Sequence, residues 1–266
     1  MNLVEVDELE KTVKTCLYSP YVQGEKALSL LIVAKPESGK TAILKKYSIN
    51  KGIVYLTDAT AYGLTRDILP KVVSGEVKHI LIADLITPLS KSVKTRSSFI
   101  AFLNNLIEEG VAKITTYSTV WEKQVNCGLI TAVTDEALRD GRHEWAKMGF
   151  LSRMILFSYS YSIEQVYKIF NELIQAKDVK LQSEKLNFPA KPKDIILPQK
   201  IAKELSAISM AVGREMNLYG FRFFLNSRAF IKALALMKGK KEVDKEDFED
   251  FLKLTKYFNA NFNVLR

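Results

Sequence analysis

The run LSLLIVAKPESGKTAILKKY, residues 28–47, constrains this chain more than any other part of it. LSLLIVA is almost continuously apolar and does not alternate, which is the pattern of a strand buried on both faces of a parallel sheet. Such a strand needs helices packed on either side. AKPESGKT, residues 34–41, then predicts a tight loop at the strand's exit, with a helix beginning near Lys40. Amides at the start of a helix point into one concavity at its positive end, where anions bind. Lys40 adds an ammonium for terminal phosphates, and the hydroxyl of Thr41 a ligand for magnesium. Gly39, Lys40 and Thr41 therefore match the end of a phosphate-binding loop formed by Ala34, Lys35, Pro36, Glu37, Ser38, Gly39, Lys40, Thr41 and Ala42. Ala34 stands where the first glycine of such a loop belongs, and Glu37 where another is common. An alanine at the strand exit is harmless at negative φ, whereas a positive φ costs roughly 1–3 kcal/mol.

The same alternation continues downstream. GIVYLTD, HILIAD, CGLITAV and MILFSYSYS read as further strands, LTRDILPKVV and SSFIAFLNNLIEEG as helices, and 111–120 as β-rich. A helix over 2–18 precedes them, with Leu3, Val6, Leu9, Val13 and Leu17 near helical spacing. Strands alternating with helices predict an α/β three-layer sandwich with a parallel central sheet. Composition shifts after Gln175. Residues 177–200 are rich in lysine and proline and read as a linker or an extended crossing segment. The remainder is helical, and Asp244 is a suitable N-cap for its last helix, with Asp247 adding negative charge to the first turn. The expected division is an α/β core over 1–176, a linker over 177–200 and a small helical domain over 201–266.

A strand-exit acid completes a nucleotide site by holding the metal's outer shell. HILIAD ends in Asp84, which makes Thr41 and Asp84 the candidate metal ligands. Hydrolytic sites usually place a glutamate next, to orient the attacking water. Here the residue is Leu85, with Glu108 and Glu109 as distant substitutes. Binding is therefore better supported than turnover. If Leu85 is what limits hydrolysis, Leu85→Glu is expected to raise the rate.

The bulk numbers narrow the partners. A net charge of +9 is the balance expected of a chain that meets a polyanion such as DNA, or of a surface tuned for solubility. KSVKTR at 91–96, residues 191–193 and KGKK at 238–241 concentrate the positive charge, while Tyr62-Gly63, Tyr117, Trp121 and Lys123 are candidates for stacking on bases. Cys16 and Cys127 lack metal-ligand spacing and need no disulfide, which fits a cytoplasmic setting. His79 and His143 show no metal pattern and read as structural. The first residues are acidic and amphipathic, unlike a signal peptide, and no apolar run is long enough to span a membrane.

Taken in order, several pieces resemble AAA+ ATPases, in particular the minichromosome-maintenance (MCM) and MoxR-like branch. YLTDATAYGLTRDIL, HILIAD, NNLIEEGVAKI, GLITAVTD, GFLSRM and NSRAFIKALALMKGKKEVDKEDF carry the resemblance, which runs from about residue 22 to 255. It implies a P-loop NTPase core followed by a helical lid, binding ATP and Mg2+. The same resemblance makes Asp84 the Walker B acid, Thr134 the sensor 1 residue in place of the usual asparagine, Arg153 the finger reaching a neighbour's phosphate, and Arg228 sensor 2. Guanidinium groups suit both roles because they stay charged and bind phosphate in two-pronged fashion. Arg139, Arg142 and Arg222 are rivals for them. The implied assembly is a ring of identical chains, a hexamer, acting on DNA as a reduced replication-type motor such as a mobile element would carry. Only about 20 residues precede the core, so the N-terminal DNA-binding domain of MCM helicases is not expected. Two alternatives stand beside the motor: a nucleotide-binding structural or regulatory subunit with little hydrolysis, and a MoxR-like protein-remodelling chaperone.

Overall fold

The computed structural model describes residues 7–109, 114–116, 119–121, 124–175 and 182–258. Its strands are β1 (Leu30–Val33), β2 (Ile53–Leu56), β3 (His79–Ile82), β4 (Ile114–Thr116), β5 (Thr119–Trp121), β6 (Gly128–Val133) and β7 (Ile155–Ser158). Five of them form one parallel sheet in the order β2-β3-β6-β1-β7, while β4 and β5 pair antiparallel in a separate hairpin. Every residue of β1, β3 and β6 is buried, as the unbroken apolar runs require.

The helices are α1 (Asp7–Tyr18), α2 (Lys40–Tyr47), α3 (Ala61–Gly63), α4 (Leu69–Val73), α5 (Ile86–Leu89), α6 (Val93–Asn104), α7 (Asp135–Lys147), α8 (Ile163–Gln175), α9 (Gln199–Glu215), α10 (Phe221–Met237) and α11 (Lys245–Thr255). They cover both faces of the sheet. Leu30 and Ile32 of β1 join a core with Leu9 and Val13 of α1, Ile43 of α2, Phe230 of α10 and Phe251 of α11. Leu31 and Val33 turn the other way, into a core with Leu69 of α4, Phe99 of α6 and Trp145 of α7. The α/β class and the parallel sheet agree with the sequence reading, which omitted α7 and α8. Residues 2–6 and Gly110 lie outside the described residues.

The C-terminal helices contribute to the same core as α1 and the sheet. α11 begins with a capping box in which Asp244 accepts from the Asp247 amide at 3.0 Å and Asp247 accepts from the Asp244 amide at 3.2 Å. The proline-rich stretch before α9 is an extended strap. Lys193 exchanges backbone bonds with Tyr21 and Gln23, Phe188 stacks on Tyr21 at 4.8 Å, and Asn50 donates to the Glu184 carbonyl.

Candidate phosphate-binding site

The loop 34–39 leaves β1 at its C-terminal end and runs directly into α2. Ala34 is absent from the residues with positive φ, so it carries no left-handed strain. Gly39 does lie in that region, at φ 86°, as the N-cap of α2, and no side chain caps the helix there. The amides of the first turn are therefore left unclaimed by the chain's own side chains, at the positive end of an eight-residue helix. Lys40 is half-buried. Its Nζ donates to Ala34 O at 2.7 Å, Lys35 O at 2.5 Å and Ser38 Oγ at 3.1 Å, so the ammonium is held within the loop. Burial pulls Lys40 below the usual lysine range, while the carboxylates of Asp135 and Asp84 work against that shift. Those two acids thus stand close enough to act on the same ammonium. Thr41 is exposed on the first turn, and Lys35, Pro36 and Glu37 form the outer rim.

Glu37 adopts φ 62°, a left-handed conformation that costs a non-glycine residue about 1–2 kcal/mol. The sequence reading placed a glycine preference at this position, and the backbone supplies its reason. Glu37→Gly is expected to stabilise the fold by roughly 0.5–1 kcal/mol, after allowing for glycine's greater freedom in the unfolded chain. Glu37→Val should destabilise it by about 1 kcal/mol or more, because branching at Cβ is least tolerated there. Urea midpoints of the two variants check the sign of each.

The acids and the sensor position sit as follows. Asp84 is exposed immediately after β3, and its Oδ1 accepts from the Ile86 amide at 2.9 Å, opening α5. Thr134 lies at the end of β6, next to the loop, since Ala34 N donates to Val133 O. Its hydroxyl caps α7 by accepting from the Ala137 amide at 3.2 Å. Leu85 is fully buried in the core shared by Leu31, Val33 and Ile82, and its own amide bonds Ala132 O. A glutamate placed there would have to be buried in that core or displace its packing before it could orient a water. Glu108 lies at the other end of the sheet, where its carboxylate meets Arg153 and Arg222. The Glu109 side chain is outside the described residues.

Arg153 and Arg228 are not brought to the loop. Arg153 precedes β7 and bonds Gly149 O at 2.6 Å. Arg228 bonds Glu25, ahead of β1, at 2.9–3.1 Å. Both occupy the N-terminal edge of the sheet, which four-residue strands separate from the loop by roughly 13 Å. Within one chain the site therefore comprises the loop, Lys40, Thr41, Asp84, Thr134 and Asp135.

Two residues that sequence reasoning missed complete it. Tyr159 and Tyr161 follow β7, and their hydroxyls donate to the Ser38 carbonyl at 2.7 and 2.8 Å. Burial holds both phenols protonated, as donors must be. Alternation in SYSYS puts both rings on one side, but only the fold reveals what that side meets.

Some residues of the basic clusters are paired with carboxylates. Lys238 and Lys240 pair with Asp244, Glu246, Asp247 and Asp250, Lys91 with Asp58, and Arg96 with Glu144. Tyr62 stays exposed, with the Arg66 guanidinium 5.7 Å over its ring. Tyr117, Lys123 and the side chain of Trp121 lie outside the described residues. His79 is buried with Nε2 3.1 Å from Leu28 O, and burial pushes its pKa down to about 4, as suits a structural histidine. No described helix is long and apolar enough to cross a membrane. Among the described residues no cluster of three or more His, Cys, Asp or Glu side chains forms a metal site. The sequence matches neither a protein-family model nor a curated protein.

Proposed function

We propose that this chain binds ATP with Mg2+ at the loop 34–42, as a member of the AAA+ class in its MCM/MoxR-like branch. The observation that carries this is the uncapped start of α2 behind left-handed Gly39, with Lys40 under the joint influence of Asp84 and Asp135. That set fits a triphosphate: amides and an ammonium for the phosphate oxygens, and Thr41 and Asp84 for the cation. When bound, Mg2+ supplies charge neutralisation for the terminal phosphates. On this reading Thr134 and Asp135 flank the terminal phosphate and α9–α11 stand as the lid. Arg153 and Arg228, tied to carboxylates at the far edge of the sheet, then reach phosphate only in a neighbouring chain. The assembly is accordingly a ring of identical chains, a hexamer, remodelling or moving DNA, and working in the cytoplasm.

Buried Leu85 favours a second reading, a nucleotide-binding structural or regulatory subunit with slow turnover, because no carboxylate occupies the water-orienting position. A MoxR-like chaperone is the third, and it predicts no salt-dependent DNA binding.

Thermal unfolding with and without ATP-Mg2+ tests the shared core of these readings. At a hundredfold excess over Kd, binding stabilises by about 2.7 kcal/mol, a rise of roughly 5–10 °C for a chain of this size. Lys40→Ala should weaken binding at least about tenfold, the loss of a charge-assisted bond, and remove about half of that rise or more at the same ATP concentration. A wild type that shows no shift, or a variant that matches it, refutes nucleotide binding at this loop. Turnover per chain that climbs with protein concentration supports the motor over the slow-turnover subunit.

A further inference from the structure

α8 buries none of its residues. Ile163, Val166, Tyr167, Phe170, Leu173 and Ile174 recur at i, i+3, i+4, i+7, i+10 and i+11, which gathers them into one apolar stripe about 120° wide and about 16 Å long. A second apolar surface lies elsewhere. A groove of about 670 Å³ runs between the turn joining α9 to α10 and the start of β7, lined by Leu151, Met154, Met216, Tyr219, Phe221 and Phe230. Tyr219 and Phe221 stack at 5.6 Å on its rim, 82% and 72% exposed. The turn that presents them is rigid, for Gly220 sits at φ 80° against the Ser209 carbonyl with no room for a side chain, and Leu218 N bonds Gly213 O at 2.7 Å. Two large rings held in water by a fixed turn are a prepared contact surface.

We infer that the stripe of α8 docks into the α9–α10 groove of a second copy of this chain. The two surfaces lie at opposite ends of the edge strand β7, since α8 follows Ser158 and the groove is built around Ile155. A single chain thus shows both to solvent. Large apolar side chains present on the order of 200 Å² each when fully exposed, so six at 38–81% exposure offer roughly 700 Å², close to the 800 Å² or so that each partner gives a stable interface. Charge does not oppose this partner, though it does not drive the contact: α8 carries Glu164 and Glu172 against Lys168, and Arg222, the charged residue among the described residues lining the groove, is already paired with Glu108. Because the joined surfaces differ, the contact is head-to-tail, and it propagates or closes into a ring according to the rotation between copies. The inference rests on the oligomeric part of the proposed reading and needs nothing from the nucleotide loop.

Sedimentation velocity of the full chain over a concentration series tests it, with two double variants at exposed positions: Tyr167→Ser with Phe170→Ser on α8, and Tyr219→Ser with Phe221→Ser on the groove. Wild type should associate, and each variant alone should remain a monomer with wild-type melting temperature. An equimolar mixture of the two should stop at a dimer, since one keeps an intact helix and the other an intact groove. A wild type that stays monomeric, a variant that keeps the wild-type mass, or a mixture that does not pair overturns the inference. A groove variant that keeps the wild-type mass would mean that α8 meets α8, and two monomeric variants that do not pair when mixed would mean that helix and groove are not each other's partners. The ATP-Mg2+ melting shift is read in parallel. Its absence in wild type is a failure of nucleotide binding and leaves the docking result standing.

Discussion

Leu85→Glu should destabilise this protein by roughly 4–5 kcal/mol rather than accelerate hydrolysis. Leu85 is fully buried beside Leu31, Val33, Ile82 and Leu129. Replacing it forfeits about 1.5–3 kcal/mol of apolar burial. The new carboxylate must also stay ionised without a partner or take up a proton against its preference, and either adds several kcal/mol. A loss of roughly 4–5 kcal/mol is a large share of a typical fold's 5–15 kcal/mol. Leu85→Met keeps the volume and should cost under about 1.5 kcal/mol. Urea unfolding of the pair makes the comparison. A Leu85→Glu protein as stable as wild type, with faster ATP turnover, would show that residue 85 faces the phosphates after all.

Glu25→Ala should lose about 3–5 kcal/mol, the usual penalty for breaking a buried pair. The Glu25 side chain is 4% exposed and accepts from both Arg228 and Lys232, at 2.9 and 3.0 Å. Its removal leaves the two cations of α10 side by side at the foot of β1. Arg228→Gln removes one of two partners from a more exposed site and should cost no more than about 1–2 kcal/mol. The contrast bears on function. If Arg228 also meets a neighbour's phosphate, Arg228→Gln should lower concentration-dependent turnover much more than its stability loss accounts for. Equal, small losses for both variants in thermal unfolding would show that this cluster is not holding α10 in place.

What could be read from the sequence follows from the range of each interaction. The strand, loop and helix over 28–47 were legible because the apolar run, Gly39 and Lys40 act within a few residues of one another. Asp244 as an N-cap was legible for the same reason. The harmlessness of Ala34 was legible only as a condition on φ. By contrast, Leu85 looked like a departure inside the site, and only its packing shows that it belongs to the core. The strap before α9 lacks periodicity because it is held by Asn50, Tyr21 and Lys46, residues more than 130 positions away. The clusters at 91–96 and 238–241 read as open positive patches, yet their carboxylate partners come from α11, α7 and the loop after β2. α8 went unread although its stripe is local and repeats at helical spacing; its exposure is what only the fold shows.

The two phenol bonds to the Ser38 carbonyl make residues 38 and 159–161 move as one piece. Any shift of that carbonyl must either rupture both bonds or drag the tyrosines along, and α8 starts two residues beyond the second of them. Strain introduced at the mouth of the sheet therefore has a short, stiff route to the exposed apolar stripe of α8.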